Sequence, residues 1–204
     1  MYEKKSNTPH FLTPLARLGV SYFFMFNQNQ LSLLAIENDF QPFDVISFVF
    51  TSNPLIRHYL IFERINDYGE VIAYANFQAL KCDPRTGPRE VSTKVFNYFL
   101  SLGIQDIIHH PFQGDEIEAQ KAFYRLQSSI NNPAEYKLTS WNCEHFANYV
   151  QTGVAQSYQV QKGALAAAAL AAFGCTSDNS TVKTASWIGL LFAGGLAIRE
   201  MFRA

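Results

Sequence analysis

The chain has 204 residues, and its 48% hydrophobic and 15% aromatic content is enough for one packed core, which excludes a disordered protein. Its 16 lysine and arginine residues against 17 aspartate and glutamate residues leave a formal charge of -1, so the composition argues against a nucleic-acid partner. The cysteines, Cys82, Cys143 and Cys175, are odd in number and widely spaced. This predicts a reducing, cytoplasmic compartment, with no disulfide framework and no structural metal.

The first part of the chain is hard to read. Residues 1–40 show no clear period and are punctuated by Pro9 and Pro14, so we assign them to an N-terminal extension without a signal peptide. A folded domain is expected to follow over residues 41–156. It is expected to begin with a strand at 44–50, where β-branched and aromatic residues form a continuous run.

Two further runs of the same kind lie at 57–63 and 71–77, on either side of the turn-forming residues at 66–69. They predict a β-hairpin beside the first strand. Residues 90–110 mix apolar and polar positions without a decisive period, and we predict one or two more strands there.

Helical spacing appears later in the chain. Apolar residues at 117–126 recur every three or four positions, and the Asn-Asn-Pro cluster at 131–133 is expected to end this helix. A second helix is predicted to begin near Asn142 and to stop at Gly153, because glycine favours the left-handed conformation that terminates helices.

Residues 157–204 form a third region, with two uncharged stretches at 163–177 and 184–198 separated by a polar turn. Each stretch is about 15 residues long and would cover about 22 Å as a helix, against roughly 30 Å for a bilayer core. The sequence therefore predicts a membrane-associating helical hairpin, which could span a thin bilayer or insert shallowly. A soluble helical hairpin buried against the domain or against a partner protomer is the alternative.

Small residues recur every fourth position in the second stretch, at Ala185, Gly189, Ala193 and Ala197. Such a stripe lets two helix backbones approach closely, which is how helices pair in lipid. The stripe predicts pairing of the two tail helices, and it also allows self-association of two copies of the chain.

Cys143 is the candidate nucleophile. Asn142 is a favoured N-cap residue, which would place Cys143 at the first helical position, where the free N–H groups and the helix dipole favour a thiolate. The same N–H groups could hold the oxyanion of an acyl-transfer intermediate. A base must come from elsewhere, because His145 is about 200° round the helix from Cys143. His58 opens a predicted strand and is the candidate; on these residues alone, a small buried cysteine remains the alternative.

Several segments resemble one enzyme family. The box Asn-Cys-Glu-His-Phe at 142–146 is similar to the signature of the lecithin:retinol acyltransferase family, whose thiol enzymes have a circularly permuted papain-like fold. Segment 153–160 is similar to the family's connector into a C-terminal membrane segment. Residues 42–47 and 57–59 are similar to its first two strands, the second of which begins with the catalytic histidine.

The resemblance implies an α+β domain with an antiparallel sheet packed on helices, followed by a hydrophobic helical hairpin. It implies that Cys143 attacks an acyl ester of a membrane phospholipid, that His58 is the general base, and that no cofactor is needed. The acyl group would pass from the thioester to an amine, a hydroxyl or water. The expected activity is that of an acyltransferase or phospholipase A1/A2 at a phospholipid membrane.

One position departs from the family pattern. Ala73 stands where relatives carry a second histidine that orients the first, and Asn76 on the same strand is the candidate replacement. Asn76 would need a bulge or an altered register to take this role, because on a regular strand it faces away from the side of Ala73. In the box, His145 is expected to fix the helix through a hydrogen bond. Glu144 is expected to face outward or to pair with a cation, because an inward carboxylate would raise the thiol pKa.

Two other functions remain open at this point. A thiol peptidase or amidase would use the same fold on a different bond. A catalytically weak membrane-binding or membrane-remodelling protein would retain the box for its fold alone, and the missing second histidine favours this alternative.

Overall fold

The structure, a computed structural model, describes Ala35 and residues 39–201, with the side chains of residues 200 and 201 left out. The predicted N-terminal extension therefore lies almost entirely outside the described residues. Five strands form one antiparallel sheet in the order β4-β3-β2-β1-β5. The strands are β1 (Val45–Phe50), β2 (Asn53–Ile65), β3 (Val71–Phe77), β4 (Gly87–Glu90) and β5 (Ile104–His110).

The three strands predicted first are confirmed as β1, β2 and β3. The turn between β2 and β3 is held by Asn66, whose side-chain oxygen accepts from the backbone N–H groups of Tyr68 and Glu70. Gly69 adopts a φ of 77°, which a glycine tolerates without a steric penalty. The hairpin is thus fixed by local turn chemistry.

The prediction for residues 90–110 was incomplete, because it missed a helix. One strand, β5, is present, but α1 (Thr93–Ser101) precedes it. The Ser92 hydroxyl caps this helix by accepting from the Val95 N–H, and Val95, Phe96 and Phe99 are buried on one face. This helix has nine residues, and only three of them are buried apolar residues. Such a short pattern does not distinguish the period of a helix from that of a strand.

The two faces of the sheet carry different side chains. Alternate residues of β2, such as Leu60 and Phe62, pack with α1 in one apolar cluster. Ile61 points the other way, into a second cluster with Phe146 of a later helix. We call these the α1 face and the α3 face. Because side chains alternate along a strand, His58 belongs to the α1 face and Tyr59 to the α3 face.

Two helices cover the α3 face, namely α2 (Glu116–Asn131) and α3 (Cys143–Thr152). Both were predicted, and α2 ends within the Asn-Asn-Pro cluster as expected. Gly153 has a φ of 83° and caps α3 in the left-handed conformation, which confirms the predicted stop.

The tail forms α4 (Tyr158–Gly174) and α5 (Ser180–Met201), which pack against each other. Both helices are longer than the uncharged stretches: α4 begins five residues earlier, within polar sequence, although it ends at Gly174, and α5 continues through polar residues at both ends. The 22 residues of α5 extend about 33 Å, so the predicted shortfall against a bilayer core is wrong for this helix. Residues 180–199 are long and apolar enough to cross a membrane, judged by length and composition only.

Most of the small-residue stripe of α5 faces α4, whereas Ala185 at its start is exposed. Ala193 and Ala197 are buried, and a Cβ placed on Gly189 would lie 3.6 Å from the Ala171 Cβ. The outer faces of the two helices remain apolar and exposed. Four side chains on them are between 74% and 77% exposed: Leu170 and Phe173 of α4, and Leu191 and Phe192 of α5. An apolar surface of this kind on a paired hairpin is typical of contact with lipid.

The α3-face core gives a stability prediction. Leu126 of α2 is fully buried, whereas Tyr124 of the same helix is 70% exposed. We expect Leu126→Ala to lower the free energy of unfolding by about 2–5 kcal/mol, through lost apolar contact and the cavity left behind. Tyr124→Ala should change it by less than about 0.5 kcal/mol. Urea unfolding of the two variants tests this, and equal losses would contradict the assignment of the core.

Candidate active site

The start of α3 is built by a reciprocal cap. The Asn142 side-chain oxygen accepts from the His145 N–H at 3.0 Å, and the Asn142 N–H donates to His145 Nδ1 at 3.3 Å. Both side chains are buried, so two otherwise unpaired N–H groups are satisfied without water. This arrangement fixes Cys143 as the first residue of the helix, and it gives His145 a place in the cap.

Cys143 lies against the edge of β2. Its Sγ is 3.9 Å from the carbonyl oxygen of Arg57, the residue before His58. The pairing of β3 with β2 runs only as far as Tyr74 and Ile61, whereas the opposite edge of β3 pairs with β4 from Tyr74 to Phe77. The helix start therefore occupies the place along β2 that β3 has left.

The thiol is not activated in this arrangement. Burial raises the pKa of Cys143 to about 11, hydrogen bonds from the backbone of Tyr59 and of the helix start lower it, and the Glu144 charge raises it further. Desolvation thus outweighs the helix N-terminus. At neutral pH the sulfur carries its proton.

His58 lies in an aromatic environment on the α1 face. It pairs across strands with Phe48, and its ring centroid is 5.9 Å from that of Phe48 and 4.4 Å from that of Phe50. Burial lowers the pKa of His58 to about 4, so the imidazole is neutral at pH 7 and able to accept a proton. No hydrogen bond joins it to Cys143 or to any other side chain in the part of the chain that the structure describes.

Cys143 and His58 nevertheless line one cavity of about 340 Å³. Most of its wall is apolar and comes from three places: the start of β2, the loop before α3 and the tail hairpin. Leu55 and Leu138 contribute from the domain, and Phe192 and Leu196 from α5. The cavity can accept an apolar group beside the thiol, with few polar groups to bind a charged ligand.

The orienting role predicted for Asn76 does not agree with its position. Asn76 follows Tyr74 by two residues on β3 and lies on the α3 face, opposite the face of His58. Its amide group donates to the carbonyl oxygens of Trp141 at 2.6 Å and Asn142 at 3.2 Å. It therefore supports the loop that carries the nucleophile. The alternation of side chains along a strand explains the correction.

The prediction for Glu144 was also wrong. Its carboxylate is buried at 2% exposure and accepts from the Tyr59 hydroxyl at 3.1 Å, the Ser157 hydroxyl at 2.5 Å and the Gln159 N–H at 3.0 Å. None of these partners is a cation. Burial and the Glu144 charge raise the pKa of Tyr59, so that hydroxyl keeps its proton and donates.

Gln159 is a site residue that sequence reasoning missed. Its side-chain oxygen accepts from the Arg57 N–H at 2.6 Å, and its amide group donates to the Arg57 carbonyl at 2.9 Å. Gln159 thus pairs with the free edge of β2 beside Cys143, as a neighbouring strand would. The connector resemblance at 153–160 was the available signal, because it includes both Ser157 and Gln159.

Within residues 39–201, no group of three or more histidine, cysteine, aspartate or glutamate side chains comes together as a metal site. The chemistry available at this site is that of a thiol, an imidazole and backbone N–H groups. This set is sufficient for acyl transfer through a covalent intermediate.

Comparisons with known proteins agree with this chemistry. Residues 51–156 match the family described as lecithin retinol acyltransferase. Phospholipase A and acyltransferase 3 of Homo sapiens is 33% identical over 84 residues, or 41% of this chain and 47% of that protein. The protein of the same name from Pongo abelii is 38% identical over 60 residues, or 29% of this chain and 37% of that protein. The chain thus matches less than half the length of either relative, and no solved structure matches it.

The raised thiol pKa predicts slow alkylation of Cys143 at neutral pH. Because only the thiolate reacts, we expect its labelling rate with iodoacetamide to rise about tenfold per pH unit between about pH 7 and about pH 10. Mass spectrometry of the Cys143 peptide at timed intervals measures the rate. A plateau already reached at neutral pH would contradict a thiol pKa of about 11.

Glu144→Gln provides a matched comparison for the same measurement. Removing the negative charge beside the sulfur should move the labelling curve to lower pH, since the Glu144 charge raises the thiol pKa. Circular dichroism of the variant establishes that the fold is retained. An unchanged curve on a folded variant would show that burial alone sets the pKa.

Proposed function

This chain belongs to the lecithin retinol acyltransferase family, and we propose that it is a membrane-associated thiol acyltransferase or phospholipase acting on phospholipid acyl esters. The observation that supports this best is the position of Cys143 and His58 in one apolar cavity bordered by the tail hairpin. A long apolar chain fits such a wall, and an exposed apolar hairpin would bring the cavity to a lipid surface.

The proposed reaction begins from a neutral pair. The Cys143 sulfur attacks the ester carbonyl carbon as its proton moves to the neutral imidazole of His58, and a tetrahedral oxyanion forms. When the carbon–oxygen ester bond breaks, His58 returns the proton to the leaving alcohol of the lysophospholipid. The acyl group remains on sulfur as a thioester until an amine, a hydroxyl or water attacks it.

The neutral pair has a consequence for the mechanism. With pKa values of about 4 for His58 and about 11 for Cys143, a thiolate–imidazolium pair is unfavourable before substrate binds. Proton transfer must therefore accompany sulfur attack. The Cys143 side chain must also turn away from the Arg57 carbonyl, to which its thiol donates at 3.9 Å.

The oxyanion would be stabilised at the start of α3. The Asn142 side chain is occupied in the helix cap and donates to the Leu138 carbonyl at 2.9 Å, so the backbone N–H of Cys143 is the better donor. In this proposal Asn142 acts by holding that N–H in place. His145 and Glu144 likewise keep the start of α3 in place through their own hydrogen bonds.

The hairpin is the proposed membrane contact. Any self-association of two copies would use its outer apolar faces, since the small-residue stripe is occupied by contact between α4 and α5 within one chain. The active domain would then face a reducing compartment beside the membrane.

A second candidate function is membrane binding with little or no turnover. The observation that favours it is the missing hydrogen bond between Cys143 and His58, together with Ala73 at the position of the second histidine. If this function is correct, Cys143→Ser should leave vesicle binding and any remodelling intact. Deletion of residues 163–198 should abolish both.

The proposed function predicts an acyl adduct on Cys143. After incubation with phosphatidylcholine vesicles, intact-mass analysis of the full chain should show one added acyl group that hydroxylamine removes, because a thioester reacts readily with this amine nucleophile. Cys143→Ser should not form this thioester. His58→Phe should reduce the rate of adduct formation by about 100-fold or more, since a general base contributes about that factor.

His110→Phe is the control for the loss of a histidine. This residue lies on β5 and bonds to the Ser47 hydroxyl at 2.7 Å, outside the cavity wall. A vesicle-bound, folded wild-type protein without any adduct would exclude the enzyme, and an adduct unaffected by His58→Phe would exclude the proposed base.

A further inference from the structure

The tail hairpin returns to the active site. Helix α4 begins beside the thiol, runs away from the domain, and α5 comes back over a similar distance. As a result, the last turns of α5 line the cavity that contains Cys143 and His58. The hairpin residues in this wall include Gly163 and Ala164 of α4, and Phe192, Ala193 and Leu196 of α5.

A polar contact fixes the returning end of α5 to the domain. The Arg199 guanidinium donates to the carbonyl oxygen of Thr139, in the loop between α2 and α3. Thr139 itself lines the cavity, four residues before the nucleophile. This hydrogen bond joins the end of the hairpin directly to the nucleophile loop.

We infer that the hairpin is one wall of an acyl-chain site, so that α4 and α5 select the fatty acyl chain of the phospholipid as well as contacting the membrane. This inference rests on the proposed function. It gives the hairpin a specificity role: an acyl chain attached to the reacting ester would extend from Cys143 along Gly163 and Ala193 toward Phe192.

The chemistry of the wall favours an acyl chain over other occupants. Phe192 lines the cavity and is also 76% exposed, so the apolar lining continues without a polar border onto the outer surface of the hairpin. A peptide would need partners for its backbone N–H and carbonyl groups. On the hairpin side, the cavity lining is apolar or glycine except for Gln159, whose amide is already paired with the Arg57 backbone. A hydrocarbon chain has no such requirement.

Gly163 is the position at which this wall can be altered most cleanly. Gly163 lines the cavity and a Cβ added there meets no atom within 4 Å, so a larger side chain fits beside the cavity without displacing the helix backbone. Gly195 of α5 also has open space around an added Cβ, but it does not line the cavity. The two glycines form a matched pair for substitution.

The first test compares two chain lengths on the full protein in mixed micelles. We expect Gly163→Phe to lower the ratio of kcat/KM for dipalmitoyl over dihexanoyl phosphatidylcholine by about tenfold, because the ring takes the space of the longer chain. Gly195→Phe should leave the ratio unchanged. An unchanged ratio in Gly163→Phe, or the same fall in both variants, would overturn the inference.

A second measurement does not depend on turnover. A phosphatidylcholine with a photoreactive diazirine at the end of one acyl chain is incubated with the Cys143→Ser protein in vesicles and irradiated. We expect labelling of the cavity wall on both sides, at residues 136–139 of the domain and 192–196 of α5, with loss of the domain label in Gly163→Phe. Labelling confined to the outer faces of the hairpin would overturn the inference. A protein without turnover that still labels both walls would instead contradict the proposed function alone.

Discussion

The buried carboxylate of Glu144 is the constraint on which the site depends. A charge removed from water must be met by several hydrogen bonds, and its three donors come from β2, the connector and the start of α4. The helix that begins at Cys143, the strand that contains His58 and the start of the hairpin therefore meet at one acceptor. If any of these elements moved, a donor would be lost and the charge would remain buried with fewer partners.

The same negative charge raises the pKa of the neighbouring Cys143 thiol. A carboxylate that stabilises the assembly also opposes formation of a thiolate, and burial acts in the same direction. Burial likewise keeps the His58 imidazole neutral. The fold thus holds both reactive groups uncharged, which suits a site for a hydrophobic ester. A stable ion pair would need a polar shell that this cavity does not supply.

Much of this architecture could be predicted from local sequence signals. Turn chemistry identified the hairpin around Asn66, and the N-cap and the terminal glycine gave both ends of α3, because these features depend on a few adjacent residues. Helix α1 was missed, since its short apolar pattern fits a strand equally well. The orientation of Glu144 was not predictable in the same way: a carboxylate beside a thiol suggests an outward position unless the donors are known, and all three are distant from it in the chain or come from the connector.

Asn76 illustrates a second limit. Its residue type suited an orienter, but on a regular strand its side chain lies on the face opposite that of Ala73, and only a bulge or a shifted register could have returned it. The structure has neither over residues 74–77, where β3 pairs regularly with β4. The lengths of the tail helices were also underestimated from the sequence. Uncharged stretches measure apolar content, whereas the helical backbone continues through polar residues at each end, which adds several residues to α5.

The hydrogen bonds between Gln159 and Arg57 also determine how a fragment without the tail would behave. One amide side chain supplies both partners to a backbone position that β3 does not reach. A protein cut before residue 157 would lose this side chain and two donors to Glu144 together. It would present an open strand edge beside an apolar cavity, and such edges pair readily with other chains. Removing the hairpin to obtain a more soluble domain would therefore create a surface prone to aggregation.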